Sequence, residues 1–302
     1  MDVRFGVHTG LQHTNIADLR QLWTRIEELR FDWISIWDHF YAADNSGDPH
    51  CLEAITAHTA LAANTERVTC GSLVYSVGYR HPAVLANAIA TLDDVAEGRV
   101  VLGLGGGWLQ NEYDAYGLHY GSPGERLRML EEYIQCVRGL LTQDKTSFDG
   151  EFFHLNDAQC EPQPMQHRLP IWIGGGGEKV TLRIAAQHAD GWNVPFIPPD
   201  VWAHKAGVLD AHCETVGRDP ASITKSVNVG MAFTDEELQR QFGPMSNYVK
   251  PGVLSGSVQE MVDKVGAYVR AGAEYVILAM RAPFDREGLE RFAAEVMPAV
   301  RS

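Results

Sequence analysis

The chain has 302 residues, carries a formal net charge of −14, and is 45% hydrophobic. These values are typical of an ordinary globular protein that can bury a large core. The acidic balance argues against nucleic acid as a partner, since no block of lysine and arginine reverses the charge locally, but backbone amides can still bind a small anion.

The cysteines and the first residues bear on the compartment. The five cysteines are widely spaced and include no C-x-x-C pair, which favours reduced thiols in a cytosol. Residues 1–8 already have a strand pattern without a basic leader, and no later apolar run approaches the ~18 residues that cross a membrane. We therefore expect a cytoplasmic protein that is not inserted in a membrane.

Short runs rich in Val and Ile alternate with longer segments whose apolar residues recur at helical spacing. This alternation is typical of repeated βα units. The run Val100-Val101-Leu102-Gly103-Leu104 is almost wholly apolar, as expected for a parallel strand that is covered on both faces. The predicted strands are residues 3–8, 33–37, 68–74, 100–104, 170–174, 191–194, 224–230 and 275–280. Their pattern predicts one large α/β domain.

Two segments break the alternation. Residues 145–156 predict a hairpin around Asp149-Gly150, within an insertion of about residues 142–168. A second insertion, about residues 231–256, is polar and contains Gly243-Pro244 and Pro251-Gly252. Long loops in compact domains often form lids, so we expect the second insertion to shape a pocket.

A carboxylate and an imidazole, Asp38 and His39, come directly after the second predicted strand. In an α/β barrel the carboxyl ends of the strands form the face that carries the active site. Histidine has an ordinary pKa near neutrality, so His39 is suited to moving a proton. The alternative is that Asp38 caps a turn and His39 packs in a polar pocket.

Two glycine clusters follow the fourth and fifth predicted strands, at residues 103–107 and 174–177. Glycine amides can approach an anion without obstruction from a Cβ, and phosphate is the usual ligand. The alternative is a tight turn that needs a positive φ. Neither cluster is a dinucleotide fingerprint, because Trp108 stands where the third glycine would be, and no P-loop occurs. Two clusters beside Asp38-His39 favour one shared ligand.

Several segments, in a fixed order along the chain, carry a family resemblance. They are Asp38-His39-Phe40, Cys51-Leu52-Glu53, residues 69–74 (TCGSLV), 80–86 (RHPAVLA), 98–108 (GRVVLGLGGGW), 124–127 (GERL) and 170–179 (PIWIGGGGEK). The chain resembles the luciferase-like monooxygenase superfamily and is most similar to its branch of oxidoreductases that depend on the deazaflavin coenzyme F420. The resemblance implies one (β/α)8 TIM barrel with insertions over residues 1–302, in agreement with the eight predicted strands.

The resemblance also implies an activity, hydride transfer between F420 and an unidentified small organic substrate. It makes His39 the catalytic acid or base, and it implies a non-prolyl cis peptide at Ser72-Leu73, behind the cofactor ring. The residues that it implies for cofactor binding are Asp38, Ser72, Leu73, Tyr75, Gly106, Gly107, Asn111, Gly174, Gly175, Gly176 and Gly177, the last four near the phosphate. Cations are needed for the acidic tail of the cofactor, and the candidates are Arg80, Arg126, Lys179 and Arg183.

One position departs from the family pattern. The sugar-phosphate dehydrogenases of this branch have a catalytic Glu where this chain has Trp108, so we do not expect sugar-phosphate oxidation by that route. The indole suggests an apolar or aromatic substrate, or else a core anchor. We expect His8 and Trp108 to line the substrate pocket.

Three alternatives remain open from the sequence. The same barrel supports monooxygenases and reductases that use FMN, and a non-catalytic flavin- or deazaflavin-binding protein would have the same motifs. A metal-dependent hydrolase could use His8 and His39, but the chain has no H-x-H or H-E-x-x-H motif, and we expect no metal. The expected partners are the substrate and the cofactor, without nucleic acid or membrane, and homodimers are common among similar proteins.

Overall fold

The strands of the computed structural model, which describes residues 3–44 and 46–301, confirm the predicted pattern. They are β1 (Arg4–Thr9), β2 (Trp33–Ile36), β3 (Thr69–Ser72), β4 (Tyr75–Ser76), β5 (Val100–Gly105), β6 (Thr146–Asp149), β7 (His154–Ala158), β8 (Ile171–Gly174), β9 (Gly191–Pro195), β10 (Thr224–Ala232), β11 (Val253–Ser255) and β12 (Tyr275–Met280). Each of the eight predicted strands is present, and no end is shifted by more than two residues. The third is interrupted, because β3 ends at Ser72 and β4 resumes at Tyr75.

Eight of these strands close into a parallel barrel. Their order around the ring is β1, β2, β3, β5, β8, β9, β10 and β12, and β12 pairs with β1 to complete it. β4 adds to β5 just beyond β3. Because all eight strands run in the same direction, their carboxyl ends meet at one face, which confirms the predicted (β/α)8 architecture.

Helices cover the outside of the barrel. They are α1 (Ile16–Glu28), α2 (Ala54–Asn64), α3 (Pro82–Val95), α4 (Gln110–Tyr116), α5 (Pro123–Leu140), α6 (Thr181–His188), α7 (Pro199–Thr215), α8 (Asp235–Phe242), α9 (Ser246–Val249), α10 (Val258–Arg270), α11 (Arg286–Arg291) and α12 (Met297–Arg301). Ser122 and Glu125 form the capping box that begins α5, since each side chain accepts a hydrogen bond from the other's amide at 3.3 Å. Within the described ranges, no helix combines the length and the hydrophobicity that crossing a bilayer requires.

The interior of the barrel is filled by aromatic side chains. Trp33 on β2 stacks on Trp172 on β8 with ring centroids 4.7 Å apart, and the Tyr275 ring meets both edge-on. Gly71 on β3 makes room for this cluster, because a Cβ there would lie 2.0 Å from the Trp33 ring. This cluster therefore fills the inside of the barrel, which leaves the carboxyl ends of the strands as the expected place for a site.

The two insertions have definite structure. β6 and β7 form the predicted antiparallel hairpin, in which Asp149 pairs with His154. The second insertion is not an irregular loop: α8 begins at a capping box of Thr234 and Glu237, and α9 and β11 follow. β11 pairs in parallel with the last residues of β10, so this insertion returns to the strand that it leaves.

Candidate active site

A cavity of about 740 Å³ opens at the carboxyl face of the barrel. All eight barrel strands contribute to its lining, at or just beyond their carboxyl ends: His8, Asp38, Leu73, Gly105, Gly174, Asn193, Asn228 and Ala279. Pro244, Met245 and Tyr248 of the second insertion complete the wall, so this insertion does shape the pocket. The volume lies within the range of about 300–1,000 Å³ that is usual for small-molecule and cofactor sites.

The rim of the cavity has two contrasting sides. One side, which we call the glycine rim, consists of Gly105, Gly106 and Gly107 after β5 and Gly174 and Gly175 after β8. The other, the arginine rim, consists of His8, Trp37, Met280 and Arg281. β5 and β8 are fourth and fifth around the ring, whereas β12 and β1 are eighth and first. The two rims therefore face each other across the cavity.

His39 lies at the cavity wall and is held by a buried carboxylate. Its Nδ1 lies 3.0 Å from Oε2 of Glu112, whose side chain is fully buried. Oε1 of Glu112 accepts hydrogen bonds from the amides of Phe40 at 2.5 Å and Tyr41 at 2.6 Å, and the Tyr79 hydroxyl donates to Oε2. Although burial opposes ionisation, the hydrogen bonds from His39, Tyr79 and the backbone hold the pKa of Glu112 below its ordinary value.

The Glu112 contact fixes the tautomer of His39. An ionised carboxylate only accepts hydrogen bonds, so the proton of neutral His39 must be on Nδ1. The lone pair is then on Nε2, the nitrogen that is free to exchange a proton with a ligand in the cavity. The arrangement of an imidazole that is oriented by a carboxylate is that of a general base or acid.

Asp38 is buried beside His39 and has one unsatisfied oxygen. Its Oδ2 accepts hydrogen bonds from Arg80 Nη1 at 2.7 Å and from the Ser76 amide at 3.0 Å. Its Oδ1 has no hydrogen-bond partner among the described residues. Burial raises the pKa of Asp38, and the Arg80 guanidinium opposes that rise. Because buried acceptors are rarely left unpaired, Oδ1 is suited to a donor group of a bound ligand.

The irregular end of β3 forms the floor beside the glycine rim. The non-prolyl cis peptide joins Leu73 and Val74, one residue later than the expected Ser72-Leu73, and both Leu73 and Val74 line the cavity. The expected position was wrong because Ser72 still belongs to the sheet: it pairs with Ile36, and its Oγ accepts a hydrogen bond from the Gly103 amide at 2.9 Å.

Two of the glycines make room for Val74. A Cβ at Gly105 would lie 2.5 Å from the Val74 side chain, and one at Gly174 would lie 2.7 Å from it. These positions need glycine for close packing against a side chain, a third reason besides the ligand phosphate and the tight turn that the sequence suggests. Gly107 has φ of 75°, and a Cβ there would lie 2.2 Å from the Tyr113 hydroxyl, so its turn also requires glycine.

Some predicted cofactor residues lie outside the cavity lining. They are Ser72, Tyr75, Asn111, Gly176 and Gly177. Tyr75 is fully buried with its hydroxyl 3.0 Å from His58 Nδ1, whereas Asn111 is exposed on α4. The predicted residues that the cavity brings together are His8, Asp38, His39, Leu73, Gly106, Gly107, Trp108, Gly174 and Gly175.

The two predicted substrate residues are both at the cavity. His8 is buried with its Nδ1 2.9 Å from Ser35 Oγ, and burial, with smaller effects of the Arg281 and His39 charges, lowers its pKa to about 3. His8 is therefore neutral near pH 7. Trp108 is 51% exposed, and its ring meets the His39 ring edge-on at 5.6 Å, so it is not a core anchor.

Most of the candidate cations are engaged within the protein. Arg80 pairs with Asp38 and Glu53, and Arg183 pairs with Glu131. Of the other two candidates, Arg126 donates to the Gly121 carbonyl at 2.8 Å, and Lys179 is exposed.

Sequence reasoning missed Lys205 on α7, whose Nζ donates to the Gly176 carbonyl at 2.8 Å, because helix spacing alone does not show which loop a side chain reaches.

Sequence reasoning also missed two charged residues of the site. Glu112 lies at the start of α4, 73 residues from its partner His39, and no local pattern links the two. Arg281 comes directly after the apolar strand β12, and this is the same signal that identified Asp38-His39 after β2. Over the described residues, no group of three or more His, Cys, Asp or Glu side chains is arranged to hold a metal ion.

Comparisons with known proteins identify the family of the chain. Residues 3–254 match the model of the luciferase-like monooxygenase family. An F420-dependent glucose-6-phosphate dehydrogenase from Nakamurella multipartita is 33% identical, over 99% of this chain and 97% of its own length.

Solved structures show the same fold at lower identity. An F420-dependent secondary alcohol dehydrogenase in complex with an F420-acetone adduct superposes with a TM-score of 0.87, at 21% identity over 100% of both chains. The FMN-bound oxygenating constituent of 3,6-diketocamphane monooxygenase from Pseudomonas putida superposes with a TM-score of 0.79, at 16% identity over 99% of each chain. On its match to the family model and to the full-length relative, the chain belongs to the luciferase-like monooxygenase family.

Proposed function

We propose that the protein is an F420-dependent oxidoreductase that transfers a hydride between coenzyme F420 and a small organic substrate. The observation that carries this proposal is the His39–Glu112 pair at the wall of a cavity built from all eight strand ends. The names of the relatives supply the cofactor: a curated relative and a solved structure are both described as F420-dependent dehydrogenases.

The residues at the cavity fit a planar cofactor. The five residues of the glycine rim carry no side chains of their own. The Val74 side chain packs against Gly105 and Gly174, so the Leu73–Val74 segment gives this part of the cavity an apolar floor. Oδ1 of Asp38 would accept a hydrogen bond from the cofactor, since it is buried at the cavity and has no other partner among the described residues. Bound there, F420 would supply the two-electron hydride acceptor or donor.

His39 would move the proton that accompanies the hydride. In the oxidative direction the substrate carbon loses hydrogen with its electron pair, and the attached oxygen loses its proton to Nε2 of His39. Glu112 then stabilises the resulting imidazolium through its contact with Nδ1. In the reductive direction the same imidazolium returns the proton to oxygen.

The substrate proposed here is not a sugar phosphate, although the curated relative is named for glucose 6-phosphate. Trp108 replaces the catalytic Glu that the resemblance implies for sugar-phosphate dehydrogenases, and it is half-exposed at the cavity. Met245, Tyr248 and Met280 add further apolar surface to the same cavity. An apolar or aromatic body suits these walls better than a sugar does.

An FMN-dependent monooxygenase or reductase is the second candidate, and its support is the FMN-bound structure with a TM-score of 0.79. Titration of the purified protein with F420 and with FMN, followed by cofactor fluorescence, separates the two. We expect micromolar binding of F420 and much weaker binding of FMN. The reverse order of affinities would exclude the first proposal.

Catalysis is tested with His39→Asn. Loss of an acid-base group lowers turnover by about 10²–10⁴-fold. We expect a loss of that size in the bleaching of F420 absorbance with a panel of alcohols and ketones, while the affinity for F420 changes little. Full turnover by His39→Asn would instead support an enzyme in which the histidine only packs. F420 binding without turnover by the wild type on any compound of the panel would support the non-catalytic binding protein.

A further inference from the structure

Arg281 at the end of β12 brings a buried positive charge to the cavity. Its exposure is 7%, and its guanidinium carbon lies 5.4 Å from the ring centroids of both Trp37 and Phe242. Trp37 belongs to the arginine rim, and Phe242 is the last residue of α8 in the second insertion. Aromatic contacts of this kind hold a guanidinium in place and leave its N–H groups to find acceptors at its edge.

No described residue accepts a hydrogen bond from the edge of the Arg281 guanidinium. Over residues 3–44 and 46–301 the side chain makes no hydrogen bond and no ion pair, and its Nη1 is fully buried without a partner. Asp44 attracts it from a distance, but the Asp44 carboxylate is already engaged by Gln12 and His13. An unpaired buried guanidinium is costly, so its persistence at a ligand cavity requires an explanation.

The charges around the cavity match a single negative charge. Among the described residues of the lining, Arg281 is the only lysine or arginine. His8 beside it is neutral, and the Asp38 carboxylate is paired with Arg80. A phosphate dianion usually draws several donors and cations, whereas one planar guanidinium matches one carboxylate through two parallel hydrogen bonds.

We propose that Arg281 binds the carboxylate of the substrate, so that the enzyme acts on a small organic acid with an apolar or aromatic body. This inference deepens the proposed function and rests on it for the reaction, but the binding step is independent of it. Trp37, Met280 and Met245 provide apolar surface beside the guanidinium. The reacting carbon would lie between the anchored carboxylate and the glycine rim, within reach of His39.

The position of Arg281 separates it from the part of the site that suits the cofactor. It follows β12, whereas the glycine rim follows β5 and β8 on the opposite side of the ring. A ligand group that reaches Arg281 therefore comes from the far side of the cavity. A small acid can bind there while a planar cofactor lies on the Leu73–Val74 floor.

The experiment measures binding and needs no turnover. Benzoate, hexanoate and cinnamate are titrated by calorimetry against the purified protein with and without F420, and each is compared with its neutral amide. We expect wild type to bind at least one acid about tenfold or more tightly than its amide, because a charged hydrogen-bonded pair contributes about 1.5–3 kcal/mol. Arg281→Met should abolish this preference, and Arg281→Lys should retain part of it.

The control is Arg291→Met. Arg291 also contacts an aromatic ring, with its guanidinium carbon 4.2 Å from the Phe233 centroid, but it lies outside the cavity. This variant should keep the preference for acids. Thermal unfolding, measured on the same preparations, shows whether Arg281→Met is folded.

Three outcomes decide the inference. It is overturned if wild type shows no preference for any of the three acids, or if Arg281→Met keeps that preference. It is also overturned if Arg281→Met loses as much affinity for F420 as for the acids, because Arg281 would then serve the cofactor. If wild type binds no F420 but prefers the acids through Arg281, the proposed function fails and the carboxylate site stands.

Discussion

The glycine rim and the arginine rim face each other across one cavity, and they are built in opposite ways. The glycine rim has no side chains, and its shape depends on close packing: Gly105 and Gly174 against Val74, and Gly107 against Tyr113. The arginine rim consists of large side chains, and two of their buried nitrogens, Trp37 Nε1 and Arg281 Nη1, have no hydrogen-bond partner among the described residues.

This difference shows two ways in which a barrel can prepare a binding site. Close packing of neighbouring side chains against glycine backbone fixes the shape of the space, and a single added methyl group would disturb it. Unpaired buried donors fix the chemistry of the ligand instead, because their free energy is lowered only when an acceptor binds. Close packing around glycines suits a ligand that all members of a family share. Unpaired buried donors suit a substrate that differs between members.

In this comparison we expect the largest effect from Glu112→Gln. This variant tests whether the Glu112 carboxylate controls the protonation of His39, which lies between the two rims. The Phe40 and Tyr41 amides keep the amide oxygen of Gln on their side, so its NH2 group faces His39 Nδ1. That group cannot accept the Nδ1–H, so the proton of neutral His39 moves to Nε2 and Nε2 loses its lone pair. Turnover should fall by on the order of 10²-fold or more, as expected when a base loses the carboxylate that orients it. A steady-state assay across pH 6–9 measures this.

Two further measurements separate the positioning role of Glu112 from a structural one. The affinity of Glu112→Gln for F420 and the KM for substrate should stay near those of wild type, while kcat falls. Losses of F420 affinity and of thermal stability that accompany the loss of kcat would mean that Glu112 only supports the fold.

Gly174→Ala tests whether close packing at the glycine rim supports cofactor binding. Its Cβ would lie 2.7 Å from Val74, so the floor must shift, and such overpacking costs about 1–3 kcal/mol. We expect weaker F420 binding and lower stability in a chemical denaturation experiment, with little change in the preference for acids. Gly124→Ala is the control, since nothing lies within 4 Å of its added Cβ. Equal losses of F420 affinity and stability in the two variants would show that the glycine rim is no more sensitive to an added Cβ than an exposed helix position.

Because of His8, a residue of the arginine rim, the free energy of unfolding of the protein should depend on pH. Burial lowers its pKa from 6.5 to about 3, so between these values the unfolded chain binds a proton that the folded chain does not. Stability contributed by neutral His8 is therefore complete above pH 6.5 and is lost as the pH falls, by about 2 kcal/mol between pH 7 and pH 5.

The measurement compares urea unfolding of wild type and His8→Asn at pH 7 and pH 5. The variant should lose less stability over this range. His58, whose pKa burial lowers to about 4, contributes in both proteins and cancels in the difference. Identical losses in the two proteins would show that His8 does not titrate as its burial implies.

The smallest effect on stability is expected for Trp108→Ala, at the open edge between the rims. The side chain is 51% exposed, so the free energy of unfolding should change by no more than about 0.5 kcal/mol. Its effect should instead be on substrates: KM should rise for aromatic compounds more than for aliphatic ones. A large loss of stability would mean that the indole supports the wall of the cavity.

The barrel was predictable because local patterns determine it. Apolar runs between amphipathic helices predicted all eight strands, and Asp38-His39 was found because it follows directly on an apolar strand. The second insertion was located, but its helices were not, since its polar composition and its Gly-Pro and Pro-Gly pairs indicate turns more strongly than α8 does.

The details of the site depended on distant contacts and could not be read from local patterns. Glu112 reaches His39 across 73 residues of sequence, and Gly105 and Gly174 are needed because of Val74, which lies in the break between β3 and β4. A glycine that makes room for a neighbour and one that approaches a ligand look the same in a sequence. Arg281 was the exception, because its place after β12 carried a signal that went unused.

The pairing of β11 with β10 has a consequence for how such enzymes diversify. Gly230, Met231 and Ala232 lie beside Val253, Leu254 and Ser255, so the segment between them, residues 233–252, leaves and rejoins the sheet at one place. Backbone hydrogen bonds between β10 and β11 join the two ends of this segment, and these bonds do not depend on the side chains of residues 233–252. Exchanging that segment for the equivalent one of a relative should therefore replace part of the cavity wall and change the substrate preference, while the barrel keeps its structure.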